Sequence, residues 1–494
     1  MKATFKYIVT AFAVCATLVS CQKDNLTGNA DDKPAVGNVR VIEANFGIAT
    51  KSTLGGEAGR TPLFSNGDKI MVSNTTSKEE CTVSVDEKGQ ATFTTTLTGA
   101  LTAVYPSNAA KLNGNAIDGV IVPATQDGTF AKANIAKATI ASDATSATFE
   151  NQTSLLRFYV DESIGVESIT ITADEDIADN SKTIVVDPEG DTTLDKVTDD
   201  PGKRICYVSV LPGTFTSLKF TSVTTTQTLC ENSTVERTAP NVTLTANKIY
   251  NAFIPYYIDL GTAGMWGYCN VGAFLPEDAG MYFAWGETTG HKPSTEGEGA
   301  FTFGNDNGGF ADDLSNCPYY CGNDKFTKYM VTGYGENWGG TGNPDNLTVL
   351  EAVDDAATAN WGEGWRMPKI EEFEALKELC TNNFESGYSF GTSPNIIFLP
   401  AAGNGINTDL EDKGSWGIYW SSTLNTDNNE EIDGPGNGNT LEFGEDDEET
   451  SIETTFEGRF LGCSVRPIIN AAAPATSDEL YKTNPTEMEE KNVF

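Results

Sequence analysis

Histidine occurs once in the 494 residues, at His291, and that scarcity excludes more than any motif does. A Ser-His-Asp relay and most zinc sites need imidazoles that this chain does not have. Basic residues are also few, 32 against 70 acidic ones, for a formal charge of −38. Binding a phosphate backbone or an anionic bilayer takes clustered Lys and Arg, so nucleic-acid and headgroup partners are disfavoured. What remains is the surface of a soluble, self-repelling extracellular protein. Tryptophan is missing from the first half: all seven (Trp266, Trp285, Trp338, Trp361, Trp365, Trp416 and Trp420) lie in the second. A long apolar run is confined to residues 7–19, too short to span a bilayer as a mature helix. The length exceeds what one core supports and suggests about two to four domains.

The N-terminus reads as a targeting segment and not as part of the fold. Lys2 and Lys6 precede the apolar run, which ends in Leu18-Val19-Ser20-Cys21. These four residues resemble a lipobox, which implies a leader over 1–20, cleavage before Cys21 and a lipid on its thiol. Acyl chains would then anchor the protein to the outer membrane. An ordinary secretory leader that contains a cysteine is the alternative. Residues 21–40 are polar and rich in Asp, Asn, Gly and Lys, a flexible tether. With Cys15 removed and Cys21 lipidated, eight cysteines remain in a compartment that permits disulfides. Cys206 with Cys230 is one candidate bridge and Cys317 with Cys321 another, but connectivity does not follow from spacing. The short Cys317–Cys321 spacing also resembles half of a zinc site, with no second pair at metal-ligand spacing to complete it.

From residue 39 to about 257 the composition turns to Thr, Val, Ala and Ser. Short runs of period two fall at 81–85, 91–97, 168–173, 183–186, 205–211 and 217–226, separated by Gly and Asp breaks. Alternation with β-branched residues predicts antiparallel strands, and strands at this spacing predict sandwiches. NQTSLLRFYV at 151–160 opens a second unit, giving domains at 41–150 and 151–257. This half resembles the fimbrillins of Bacteroidetes pili, on residues 39–46 followed by Ala49-Thr50-Lys51, on FSNGDKI (64–70), LTAVYP (101–106), 149–160 and LTANKIYNAFI (244–254). The resemblance implies two tandem transthyretin-like β-sandwiches and assembly with other pilus subunits by strand exchange. It also implies cleavage after an arginine near the first strand, for which Arg60 and Arg40 are the candidates. Gly67 and Asp68 read as plain turn chemistry before a strand.

The last third, 258–469, is organised around NWGEGWRMPKIEEFEAL at 360–376. Ile370, Phe373, Leu376 and Cys380 form one apolar stripe, and Pro368 fits just before or inside the first turn. Glu371, Glu372 and Glu374 suit the positive end of the helix dipole. This predicts a short helix clamped into an aromatic core. Five stretches resemble the Fibrobacter succinogenes major paralogous domain, a relative of the C-type lectin-like and formylglycine-generating-enzyme folds: 258–288, 351–368, IIFLPAAG (396–403), IYWSST (418–423) and GCSVRPI (462–468). Lys369 departs from that pattern, which places a capping Thr or Ser there. The implied whole is mostly β with an α+β C-terminal module: two transthyretin-like sandwiches, then a C-type lectin-like domain, then a polar tail over 470–494.

Catalysis is not expected. The enzymes of the formylglycine-generating type use a reactive cysteine pair that binds copper, and no such pair is recognisable here. Ser421 and Ser422 lack a nearby histidine in sequence, and the abundance of acids makes accidental carboxylate pairs uninformative. Binding is the better expectation, since Trp faces suit sugar rings and protein hot spots. Trp266, Trp361, Trp365 and Trp420 read as core; Trp338 and Trp416, in Gly-rich loops, are the ligand candidates. Asp427, Glu430, Glu431 and Asp433, with Glu445, Asp446 and Asp447, form acidic loops that offer Ca²⁺ oxygen ligands, though their spacing matches neither an EF-hand nor the lectin Glu-Pro-Asn signature. A solvated acidic loop is the plainer reading, and no other cofactor is implied. The functional expectation is cell-surface adhesion, as a pilus component or tip adhesin that binds a glycan or a host or bacterial surface protein. A non-pilus, glycan-binding outer-membrane lipoprotein is the alternative.

Overall fold

A computed structural model describes residues 39–46, 63–161, 164–188, 194–197, 200–224, 234–291, 303, 317–322, 326–332, 344–381, 384–407, 409–426, 436–446, 449–470 and 490–491. Arg40–Phe494 forms one compact unit; of Met1–Val39 only Val39 is described. The described chain is mostly β, and none of its helices is long and apolar enough to cross a membrane.

Alternation builds the first core. In Arg40–Phe46, Ile42 and Ala44 turn inward while Val41 and Asn45 are exposed. The same period recurs in Lys69–Ser73, Lys78–Val85, Ala91–Thr95, Leu101–Tyr105, Ala136–Ile140 and Ser146–Asn151. The resemblance implies a transthyretin-like sandwich over 41–150; in the structure these seven strands close into a barrel. Two strands that change partner along their length close it. Lys78–Val85 pairs with Lys69–Ser73 and then with Ala91–Thr95; Ser146–Asn151 pairs with Arg40–Phe46 and then with Ala136–Ile140. The first strand therefore has both edges occupied, parallel to Ser146–Asn151 and antiparallel to Ala91–Thr95. Phe46 stacks on Phe64 at 4.2 Å, and Phe64 meets Tyr105 and Phe149 edge-on at 5.2 and 5.3 Å. Arg40 locks the strand's start by donating to the carbonyls of Gly99, Ala141 and Ala144. The turn before Lys69–Ser73 forms as expected: Gly67 has φ +98°, and Asp68 accepts from the Ser65 N–H at 2.8 Å.

The second core lies between two five-stranded sheets. One runs Asp195–Val197, Asp200–Val210, Ser154–Asp161, Lys248–Asn251 and Glu490–Lys491; the other runs Thr234–Leu244, Gly213–Thr224, Val166–Ala173, Thr183–Val186 and Thr125–Gln126. Ser154–Asp161 is central and covered on both faces, so it reads as an apolar run and not as an alternation. Phe158 meets Phe220 of the facing sheet edge-on at 5.5 Å, whereas Leu155 packs on the other side with Ile205, Tyr207 and Ile249. Residues 122–135 precede the expected boundary at 150 yet pack with this second unit: Thr125–Gln126 extends its sheet, and Val122 and Ile135 join its core.

That core does not stop at residue 257. One apolar cluster continues from Leu156 and Phe158 through Ile254 and Ile258 to Trp266 and Ile469. Tyr159, Phe253, Phe274 and Trp361 form a ring-to-ring chain across the joint. Beyond it lie a four-stranded sheet (Tyr257–Asp259, Met265–Gly267, Ile468–Ile469, Trp365–Arg366) and a five-stranded one (Tyr282–Phe283, Cys463–Ser464, Trp416–Leu424, Asn437–Asp446, Glu449–Gly458).

The helix predicted from 360–376 spans Ile370–Lys377. Phe373 and Leu376 are fully buried, and Phe373 packs on Trp266 at 5.5 Å. Lys369 supplies no side-chain cap, but Glu372 accepts its N–H at 2.8 Å and forks with Arg366 at 2.6 and 2.7 Å. Half of a capping box therefore survives the departure at Lys369, reinforced by an ion pair. A preceding helix, Ala356–Trp361, is capped by Asp355, which accepts from Thr358 N–H at 2.9 Å and from Met367 N–H at 2.8 Å. Burial pushes the Asp355 carboxyl up to about 6 in spite of those donors.

Candidate functional site

Trp416 opens the strand Trp416–Leu424, and the register places it opposite Gly444. A side chain at 444 would collide with the indole, so the glycine is what lets the ring lie down on the neighbouring strand. The indole N–H donates to Glu442, two residues along on the same face. The ring is half-buried, and the rest of it is open to solvent.

Glu442 is the unusual group here. It sits between Leu441 and Phe443, which face the core, and should by alternation face water. It is instead 7% exposed, because Ile418 lies opposite it and Trp416 covers it. Thr440 Oγ1 donates to it at 2.7 Å. Burial, then the charges of Glu457 and Glu453 on the adjoining strand, push its carboxyl up to about 7. Glu453 is its direct cross-strand partner. The result is an acidic face with a tethered indole at its margin. The exposed part of the indole can offer a flat apolar contact to a ring, and the exposed Glu453 can accept from hydroxyls. Among the described residues, no group of three or more His, Cys, Asp or Glu is arranged to hold a metal ion.

A second polar cluster holds the adjoining segments in place. Asp354 accepts from Tyr319 and Tyr329 hydroxyls and from Lys328, which also pairs with Glu351 at 2.6 Å. Burial opposes ionisation of Asp354, yet these donors hold its carboxyl below the usual range. Arg459 is fully buried with its guanidinium 4.7 Å from the Trp285 ring and 4.1 Å from the Phe326 ring. Burial lowers it to about 10.

Of the sequence-derived candidates, Trp416 and Arg40 fall in described structure. Cys21, Arg60, Trp338, Asp427, Glu430, Glu431 and Asp433 lie outside the described residues. So does Cys230, while Cys206 is a buried free thiol. Cys317 is likewise free and buried, so the expected bridge to Cys321 is not made. Burial pushes both thiols up to about 12, the opposite of what a reactive thiolate needs. Trp266, Trp361, Trp365 and Trp420 are core, as read. Ser421 and Ser422 spend their hydroxyls on the carbonyls of Asn439 and Pro368. His291 is hydrogen-bonded to Glu287 at 2.6 Å. Glu442, Lys328, Asp354 and Arg459 were not singled out by the sequence. The one available signal was Glu442 itself, an acid between two large apolar residues in TLEFG, beside a tryptophan-rich strand.

No protein-family model and no curated protein matches the sequence. Among solved structures, the chain is similar to a candidate cell adhesion protein from Bacteroides fragilis (10% identity, TM-score 0.27, 43% of this chain and 91% of that one). It is also similar to a candidate adhesin from Bacteroides ovatus (10% identity, TM-score 0.22, 43% and 88%). A third is the tip fimbrial protein Mfa3 from Porphyromonas gingivalis, with a C-terminal truncation (8% identity, TM-score 0.22, 43% and 92%).

Proposed function

We propose that this chain is a cell-surface adhesion protein, a fimbrial component or tip adhesin whose C-terminal module binds a glycan or a protein. The observation that carries the reading is the Trp416–Glu442 pair, an aromatic contact surface held in place before any ligand arrives. An indole fixed by Gly444 and by its own N–H loses little freedom on binding. Catalysis has no comparable support: Ser421, Ser422 and His291 are hydrogen-bonded and Cys317 is buried.

Before processing, a lipid on Cys21 would hold the protein to the outer membrane. Assembly follows from the first strand. Cleavage after Arg60 would remove Arg40–Phe46, expose the edges of Ala91–Thr95 and Ser146–Asn151, and empty the space filled by Ile42 and Ala44. Such a groove accepts a strand from another subunit. Cleavage after Arg40 would leave the strand seated, so Arg60 is the better site. Donation onward is another matter. Lys248–Asn251 lies inside its own sheet, and Glu490–Lys491 pairs against it. A subunit that accepts but does not donate ends a fibre, which supports a position at the tip.

Immunogold labelling of intact cells with antibody against residues 258–469 is expected to mark fibre ends. Label along the whole shaft would overturn the tip position, and label on the cell surface without fibres would favour a free lipoprotein. At the level of the site, Trp416→Ala is expected to abolish binding by the full chain on a glycan or surface-protein array while leaving its melting temperature within a few degrees, because the ring is half-buried and its loss opens no closed cavity. Undiminished binding by the variant would remove Trp416 from the site.

A further inference from the structure

Where the barrel meets the sandwich, the structure forms a partly open cleft of about 800 Å³. Its volume is that of a small-ligand site. One wall comes from the barrel, with Asp68, Tyr105 and Asn108; the other comes from the segment that crosses to the sandwich, with Gln126, Asp127 and Ala131, backed by Tyr207. Apolar atoms of Ile121 and Ile135 lie between the walls.

The chemistry of the lining decides between ligand classes. A sugar needs an open aromatic face, but Tyr105 is 9% exposed and Tyr207 3%. Neither ring can stack on a pyranose. An anion would meet Asp68, Asp127 and Asp187, against the single cation Lys132, which is already paired with Asp127. A cation with an apolar stem fits both properties: carboxylates for the charge and isoleucine and proline surface for the methylenes. We propose that this junction binds a short basic peptide segment, with Arg or Lys side chains directed at Asp68 and Asp187 and its backbone lying across the cavity. Because Tyr105 belongs to the barrel core and Tyr207 to a cluster of the sandwich, such a ligand would tie barrel to sandwich and stiffen the junction.

A chain of charge −38 attracts any cation, so the test must separate the cavity from the surface field. Ala131→Trp and Asn108→Trp fill the space from opposite walls without changing charge, and both positions are exposed. Isothermal titration of the full chain with N-acetyl-Arg-Leu-Arg-amide, at about 150 mM salt to screen diffuse attraction, reads the affinity. Each filled variant is expected to bind at least about tenfold more weakly than the parent, a loss of about 1.4 kcal/mol. Should one variant misfold by near-ultraviolet dichroism, the other decides. Equal affinity of parent and filled variants, no binding by the parent, or binding of maltotriose in preference to the peptide would overturn the proposal.

Discussion

Arg466→Ala is expected to destabilise the C-terminal module by about 4 kcal/mol, because it strips donors from several buried acceptors at once. Arg466 is fully buried and has no carboxylate within its hydrogen-bond set. Its guanidinium donates instead to Asn270 Oδ1 at 2.8 Å, to the carbonyls of Gly267 and Tyr268 at 3.2 Å, and to Phe398 O at 2.8 Å. Those acceptors come from the end of Met265–Gly267, the loop that follows it and the strand Asn395–Pro400. Burial lowers the pKa of Arg466, but a guanidinium stays charged throughout the working pH range. Removing it leaves buried acceptors without donors, and each such group costs about 1–3 kcal/mol. All seven tryptophans lie in this module, so intrinsic fluorescence follows its melting and not that of the barrel. A fall in Tm on the order of 10 °C is expected for a unit of this size. Arg466→Lys is expected to rescue little, because a single ammonium cannot reach carbonyls arranged around a planar fork. A shift under about 2 °C for the alanine variant would show that water replaces the guanidinium in that network.

The second large effect is a pH dependence set by Glu442. Its carboxyl titrates near 4.5 when unfolded and at about 7 in the folded chain, chiefly through burial. Between those values the folded state holds the extra proton, so stability falls as pH rises from about 4.5 through about 7 and is flat beyond. The shift sets a ceiling of about 3 kcal/mol on the destabilisation at alkaline pH. Glu442→Gln keeps the shape and a hydrogen bond to Thr440 but cannot ionise. Urea midpoints of the variant and parent are therefore expected to be close at pH 5, with the variant well ahead at pH 8.5. An equal difference at both values would mean that Glu442 is already ionised near its ordinary pKa. Because Trp416 donates to the same carboxyl, its fluorescence is expected to titrate with a midpoint near 7 in the parent only.

Much of the local structure was legible because it depends on neighbours in the chain. The alternation at 183–186 marks the strand Thr183–Val186 to the residue, and the stripe through Phe373 and Leu376 marks the helix that buries them. Gly67-Asp68 gave its turn for the same reason: a left-handed φ and a side-chain acceptor are local requirements. Partner choice was not legible. Period two says that Lys78–Val85 is a strand, but not that its two ends serve different neighbours and so close a barrel.

The site divides the same way. Sequence alone determined that the tryptophans cluster after residue 265, that the chain is strongly acidic and that histidines are too few for most triad or zinc sites, since these are properties of composition. It also singled out Trp416, though in Gly-rich, loop-like sequence, whereas the structure places it at the start of the strand Trp416–Leu424. Only the tertiary structure decided that Gly444 receives the indole, that Glu442 is buried beneath it, and that Asp68 and Asp127, separated by 59 positions in the chain, face one cavity. Burial and charge at a site are sums over residues distant in sequence, and a sum of that kind exists only once strands have chosen their partners.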